Sequence, residues 1–264
     1  MTEHTPFGTR LRLSRLGTGD GRMMIVPLDH SVTDGPLDTD ASLDGLVGVL
    51  AGNGVDAVVL HKGAAKHVDP AHFADMALIV HLSASTAHAP DPDAKYLVAS
   101  IEAALRLGAD AVSVHVNIGS REEAQQVADF ANVAESCDRW NLPLLAMMYA
   151  RGPNIDDPKD VEILAHAVTL AADLGADVVK IPHPGDEAGV AELVRACPAP
   201  LVMAGGPQVD DTDALCDRVS ASIAAGAAGV AMGRNVFAAD DPAAVARRVS
   251  DAVHQPARRF AAVR

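Results

Sequence analysis

Residues 161–183 read VEILAHAVTLAADLGADVVKIPH. Positions 161–175 carry apolar residues at helical spacing and stop at Gly175, a residue type favoured just past a helix C-terminus. Val178 and Val179 then open an apolar run too short for a helix, so it reads as a buried strand. Lys180 stands at the C-terminal end of that strand on an apolar base. Burial disfavours the ammonium form of an amine, and a neutral amine attacks a carbonyl to form a Schiff base. The competing reading is a lysine whose stem lies on apolar surface while its head reaches water. The rest of the chain decides between them.

The helix–strand unit recurs. Apolar strands read at 23–28 (MMIVPL), 55–61 (VDAVVLH), 77–82 (ALIVHL), 111–117 (AVSVHVN), 143–149 (PLLAMMY), 178–181, 200–204 (PLVMA) and 229–232 (GVAM). Helices are predicted at 41–53, 95–107, 121–140 with Ser120 as N-cap, after Asp157-Pro158, and at 186–197, 211–225 and 242–254. Continuous apolar strands alternating with helices belong to a parallel sheet covered on both faces. Eight units in 264 residues predict an α/β chain folded as a single-domain (β/α)8 TIM barrel over 1–264. Residues 1–20 read as an N-terminal extension whose Arg10, Arg12 and Arg15 form a solvated face, with a short helix packed across the barrel bottom or a subunit contact as the alternatives, and 256–264 as a loose basic tail. A doubly wound open sheet is the alternative, weakened because no GxGxxG follows the first strand.

Formal net charge is −14, which argues against non-specific binding to nucleic acid or anionic membrane. Cys137, Cys197 and Cys216 are odd in number and lack CxxC spacing, as expected in a reducing compartment. No signal peptide or membrane-spanning apolar run is visible, so a cytoplasmic enzyme is expected.

In such a barrel the active site lies at the C-terminal ends of the strands. Those ends read Asp29-His30, His61-Lys62, His81 with Ser83, His115 with Asn117, Tyr149, Lys180, Gly205-Gly206 and Gly233-Arg234, so polar groups converge on one mouth. The bottom-facing turns carry nothing comparable in this reading. The glycine-rich AGGP and GRN segments expose backbone N–H groups, and Arg234 adds a fork of donors; both suit a phosphate. Four strand-end histidines raise a rival, a divalent metal site, but no HxH or HExxH spacing supports it. No metal and no cofactor are expected. Lys62 is a rival nucleophile, whereas Lys66 and Lys95 read as solvated.

IVPLDHSVTDGP, VVLHKG, LIVHLSASTAHAPDP, GADAVSVHVNIGS, PLLAMMYARGP, GADVVK, VMAGGP and GVAMGRNVF, in this order over about residues 8–255, resemble the archaeal-type class I aldolase family. Within it they are similar to the branch of 2-amino-heptulosonate-forming synthases. The resemblance implies a phosphorylated ketose donor and an aldehyde acceptor. The wording is nearer to members that join dihydroxyacetone phosphate to L-aspartate 4-semialdehyde for 3-amino-4-hydroxybenzoate formation. Other members run a transaldol reaction to a dideoxy-heptulosonate, or cleave fructose bisphosphate. A barrel that only binds a sugar phosphate is the non-enzymatic alternative. The resemblance further implies Lys180 as the Schiff-base lysine, Tyr149 as the general acid/base and Asp29 as its catalytic partner. It places phosphate at Gly205, Gly206, Gly233 and Arg234, adds His30 and His183 to the substrate-binding set, and implies a homo-oligomer. One departure stands out: the family's Lys-Thr-x-Tyr-x-Gly is here Lys180-Ile181-Pro182-His183-Pro184-Gly185, which bears on the acceptor.

Overall fold

The computed structural model describes residues 5–37 and 41–254; the expected tail at 256–264 lies outside the described residues. Eight strands close into one barrel: β1 Met23–Pro27, β2 Ala57–His61, β3 Ala77–His81, β4 Ala111–Ile118, β5 Leu144–Ala150, β6 Val178–Ile181, β7 Leu201–Ala204 and β8 Gly229–Ala231. All neighbouring pairs are parallel, and β1 pairs with β8 through Met23↔Gly229. A Cβ on Gly229 would strike the Met23 carbonyl, so this seam needs glycine.

Alternation along each strand sorts the apolar residues into two cores. Met23, Ile25, Val59, Ile79, Leu145, Met147, Val178 and Val202 fill the barrel interior. Met24, Val58, Val80, Val112, Met148 and Val179 face the surrounding helices. Side chains of Ser42, Ser100, Asp160, Asp186 and Asp211 cap helix N-termini by accepting from backbone N–H groups. Each such cap contributes about 1 kcal/mol.

Three expectations are corrected. No helix starts at Lys95: Tyr96–Leu97 pairs antiparallel with Ser83–Ala84, and the helix spans Ile101–Arg106 behind its Ser100 cap. The loop after β3 thus folds back over the barrel, a tertiary pairing that overrides local propensity. The next-but-one helix begins at Val161, because Asp160 caps it and Asp157 bonds the Lys159 N–H in a preceding turn. Ser120 bonds the Glu122 N–H ahead of helix Glu123–Trp140, whose N-cap is Glu122.

At the barrel bottom the packed short helix holds rather than the solvated face. Leu16 is buried at 1% exposure and packs with Leu13 on the interior core, so the N-terminal segment plugs the barrel. Arg15 bonds Asp110 at 2.6 Å, and Arg12 reaches the Asn141 carbonyl at 3.2 Å, so neither is merely solvated. The bottom turns carry a repeat. Asp56, Asp110 and Asp177, each two residues after a glycine, accept from the N–H groups of Met24, Leu78 and Leu144 on the preceding strand. Among the described residues, no helix is long and apolar enough to cross a membrane.

Candidate active site

Alternation also decides which strand-end groups enter the mouth. His61 follows interior Val59, His81 follows Ile79, Tyr149 follows Met147, and Lys180 follows Val178. Asp29 has the parity of Met23 and Ile25. Lys62 has the opposite parity, is exposed, and gives its amine to the Val98 carbonyl at 2.5 Å. Lys180 is only 6% exposed and lies level with Met147 of β5 and Val202 of β7. Tyr149, one interior position above Met147, has its ring centroid 6.0 Å from the Lys180 amine. His115 stacks on Tyr149 at 4.8 Å between centroids, 27° between planes, and its Nε2 is 2.8 Å from Asn117 Oδ1.

Asp29 collects charges. Its carboxylate is 3.6 Å from His81 Nε2 and 3.7 Å from His30 Nδ1. Burial alone would raise its pKa, but His81, His30, Lys180 and His61 together outweigh that and hold it at about 2. Burial pushes His81 down to about 4 and depresses His30, His61 and His115 as well. At neutral pH the site therefore presents an ionised carboxylate among neutral imidazoles. His81 is committed to neighbours: its Nδ1 bonds Ser113 at 2.8 Å, and its ring meets His61 edge-on at 5.2 Å. Among the described residues, no three His, Cys, Asp or Glu side chains converge as a metal would require.

On the opposite side, the loops after β7 and β8 interlock. Asn235, buried at 4% exposure, donates to the carbonyls of Gly205 (3.1 Å) and Pro207 (3.2 Å) and accepts from the Val209 N–H at 2.9 Å. Arg218 also donates to the Gly205 carbonyl at 3.2 Å. Gly206 has φ +71, which favours glycine, and is exposed. A Cβ on Gly233 would lie 2.5 Å from the Pro27 oxygen and 2.7 Å from His30 Cε1, so glycine lets His30 close against this loop. Arg234 is exposed at the start of the short helix Arg234–Phe237. His183 Nδ1 accepts from the Gly185 N–H at 3.0 Å, which turns the ring into a loop fastening and leaves Nε2 available.

Sequence reading missed Asn235, Lys95 and Arg151. Asn235 stands in the quoted GRN segment, and Arg151 shares the parity of Tyr149 two residues on, so both had a signal. Lys95 had none, since its burial follows from the hairpin of Tyr96–Leu97.

The DeoC/LacD family aldolase description matches residues 23–239. The chain belongs to that family of aldolases. This aldolase is 58% identical over 263 residues to the 2-amino-4,5-dihydroxy-6-oxo-7-(phosphonooxy)heptanoate synthase of Streptomyces griseus, covering 99% of this chain and 96% of that one. It is 44% identical over 248 residues to the 2-amino-3,7-dideoxy-D-threo-hept-6-ulosonate synthase 1 of Archaeoglobus fulgidus, covering 94% and 92%. Its structure matches an archaeal fructose-1,6-bisphosphate aldolase whose catalytic lysine is covalently bound to the carbinolamine intermediate of the substrate. That match has a TM-score of 0.85 at 28% identity and covers 93% of this chain and 99% of that one. The aldolase is of class I, the class that works through a lysine Schiff base.

Proposed function

We propose that Lys180 is the Schiff-base lysine of an enzyme that joins dihydroxyacetone phosphate to L-aspartate 4-semialdehyde. The product is 2-amino-4,5-dihydroxy-6-oxo-7-(phosphonooxy)heptanoate, the compound named for the Streptomyces relative. Its skeleton fixes the partners. An aldol bond joins the carbon beside the ketone, C5, to the carbinol carbon, C4. Splitting there leaves a three-carbon phosphorylated hydroxyketone and a four-carbon amino-acid aldehyde. The observation that carries the reading is Lys180 at 6% exposure inside the barrel, beneath Tyr149 and in the field of Asp29.

The steps follow from these groups. Donor phosphate docks at Gly205, Gly206, Gly233 and Arg234, which brings the ketone to Lys180 and makes amine attack effectively intramolecular. Asp29, ionised, takes a proton as the amine adds to the ketone and returns it to the carbinolamine hydroxyl, which leaves as water. The iminium acidifies the neighbouring C–H, and Tyr149 relays that proton, in the end to the alkoxide formed at the acceptor. The enamine carbon attacks the acceptor aldehyde, the new alkoxide is protonated, and water releases the ketone product and regenerates the lysine. His30, beside Asp29, and His183 complete the substrate-facing set. Three unpaired cysteines suit a cytoplasmic setting. Exposed Phe7, Leu11 and Trp140 near the barrel bottom suit a homo-oligomer, which sedimentation tests.

The test combines trapping and product analysis. Borohydride with dihydroxyacetone phosphate should label Lys180, and mass spectrometry should find the heptanoate when the semialdehyde is added. Lys180→Ala should lose both while keeping its circular dichroism. A label on Lys62 instead removes Lys180 from the role. Turnover only with a transaldol donor moves the enzyme to the activity named for the Archaeoglobus relative.

A further inference from the structure

Two cations stand on the β4–β5 side of the mouth with no carboxylate in ion-pair contact among the described residues. Lys95 is 8% exposed, and its amine makes one hydrogen bond, to the Pro92 carbonyl at 3.2 Å. An ammonium carries three donors. Its segment is fixed: the Asp93 carbonyl accepts from Asn117 at 2.7 Å and from Gln126 at 3.1 Å, and Ser85 holds the Pro92 carbonyl at 2.7 Å. Arg151 lies with its guanidinium carbon 4.8 Å from the Tyr149 centroid. Among the described residues, neither cation has a carboxylate within ion-pair distance. Asp93, Asp29 and Asp34 act on Lys95 only through space, while burial and then Arg151 depress its amine. In a chain of net charge −14, two neighbouring cations unpaired among the described residues are an unusual placement. Two of the Lys95 donors are then left for a ligand or solvent.

The position adds a second argument. Arg151 and Lys180 stand 4.8 Å and 6.0 Å from the same ring centroid, within one small-molecule length of each other. The β7 and β8 loops lie on the other flank of Lys180.

We propose that Lys95 and Arg151 form an anion subsite that holds the carboxylate of the acceptor aldehyde, opposite the donor's phosphate. The inference rests on the amino-acid aldehyde proposed above. It makes the acceptor's charge, as well as its aldehyde, a criterion of selection.

The experiment compares L-aspartate 4-semialdehyde with propanal, which has no carboxylate. Arg151→Gln and Lys95→Met should lower kcat/KM for the semialdehyde roughly tenfold to a hundredfold, the value of a charge-assisted contact. Propanal turnover should hold, as should donor C–H exchange in heavy water without acceptor. Arg151 is exposed, so its variant keeps the fold even if the Lys95 variant does not. An equal loss on both aldehydes, or reduced donor exchange, overturns the subsite and makes Arg151 a support for Tyr149. Unchanged selectivity overturns it too. A wild-type enzyme that exchanges donor protons yet refuses the semialdehyde overturns the acceptor assignment itself, before any variant is made.

Discussion

Tyr149 carries three neighbours on one ring: His115 stacked at 4.8 Å, Arg151 at 4.8 Å and Lys180 at 6.0 Å. Replacing its hydroxyl by hydrogen leaves the stack and the lysine in place. Tyr149→Phe should therefore still trap donor with borohydride, while turnover and donor C–H exchange fall by roughly 10²–10⁴, the contribution of a positioned acid/base. His183 is the rival proton carrier, yet its Nδ1 is taken by Gly185 and burial lowers its pKa. Normal exchange in Tyr149→Phe with lost exchange in His183→Ala would hand the role to His183. At this scale much of the site was legible. Lys180, Tyr149 and Asp29 fall at strand ends, and period two puts them on one face. Lys95 was misread because its burial depends on a chain reversal that no local pattern announces.

The β7 and β8 loops work as one element through Asn235, whose amide spans Gly205, Pro207 and Val209. Arg234, next to it, points outward and bonds none of these groups. The two residues should therefore fail differently. Arg234→Ala should raise KM for the phosphorylated donor by roughly tenfold to a hundredfold with kcat nearly kept, since a remote phosphate contributes mainly uniform binding. Asn235→Ala removes three bonds of a buried side chain. It should lower Tm as well as raise KM, and the denaturant midpoint with the donor's KM reads both. An unchanged Tm would mean that the loops hold without this pin. The glycines here were legible because φ +71 at Gly206 and the close approach at Gly233 demand them. The helix start expected at Asp157-Pro158 failed for the opposite reason: two Asp residues compete, and Asp160 takes the cap.

Across the whole molecule, closure is organised at the bottom, where the sequence reading saw no polar cluster comparable to that of the mouth. Gly-x-Asp recurs before β2, β4 and β6, and each aspartate ties its strand to the one before it. The repeat is visible in GVDA, GADA and GADV, but its purpose appears only when the strands are parallel and adjacent. Asp56, like Asp110 with its Arg15 contact, does more than tie two strands. It accepts from the Met24 N–H at 2.6 Å and stands 3.0 Å from His254 Nε2 on the last helix. That second contact is poorly aligned for a hydrogen bond, so it acts as an ion pair. Asp56 raises the pKa of His254 against the opposing effect of burial, Asp20 adds to the rise, and Arg22 works against it. Thr18 Oγ1 lies 3.3 Å from Nδ1, so the N-terminal segment joins the same contact. A histidine whose folded pKa exceeds its ordinary 6.5 stabilises the fold fully below that pH, and the benefit is lost as pH rises through the folded value. The pair is partly solvated, so its worth is under about 1 kcal/mol. The wild-type stability measured in urea should thus decline from pH 6 towards pH 9 by more than that of His254→Gln, and the two curves should converge at the alkaline end. Parallel curves would show that the last helix is held by Val249 and Val253 packing alone, with the ion pair contributing nothing to closure.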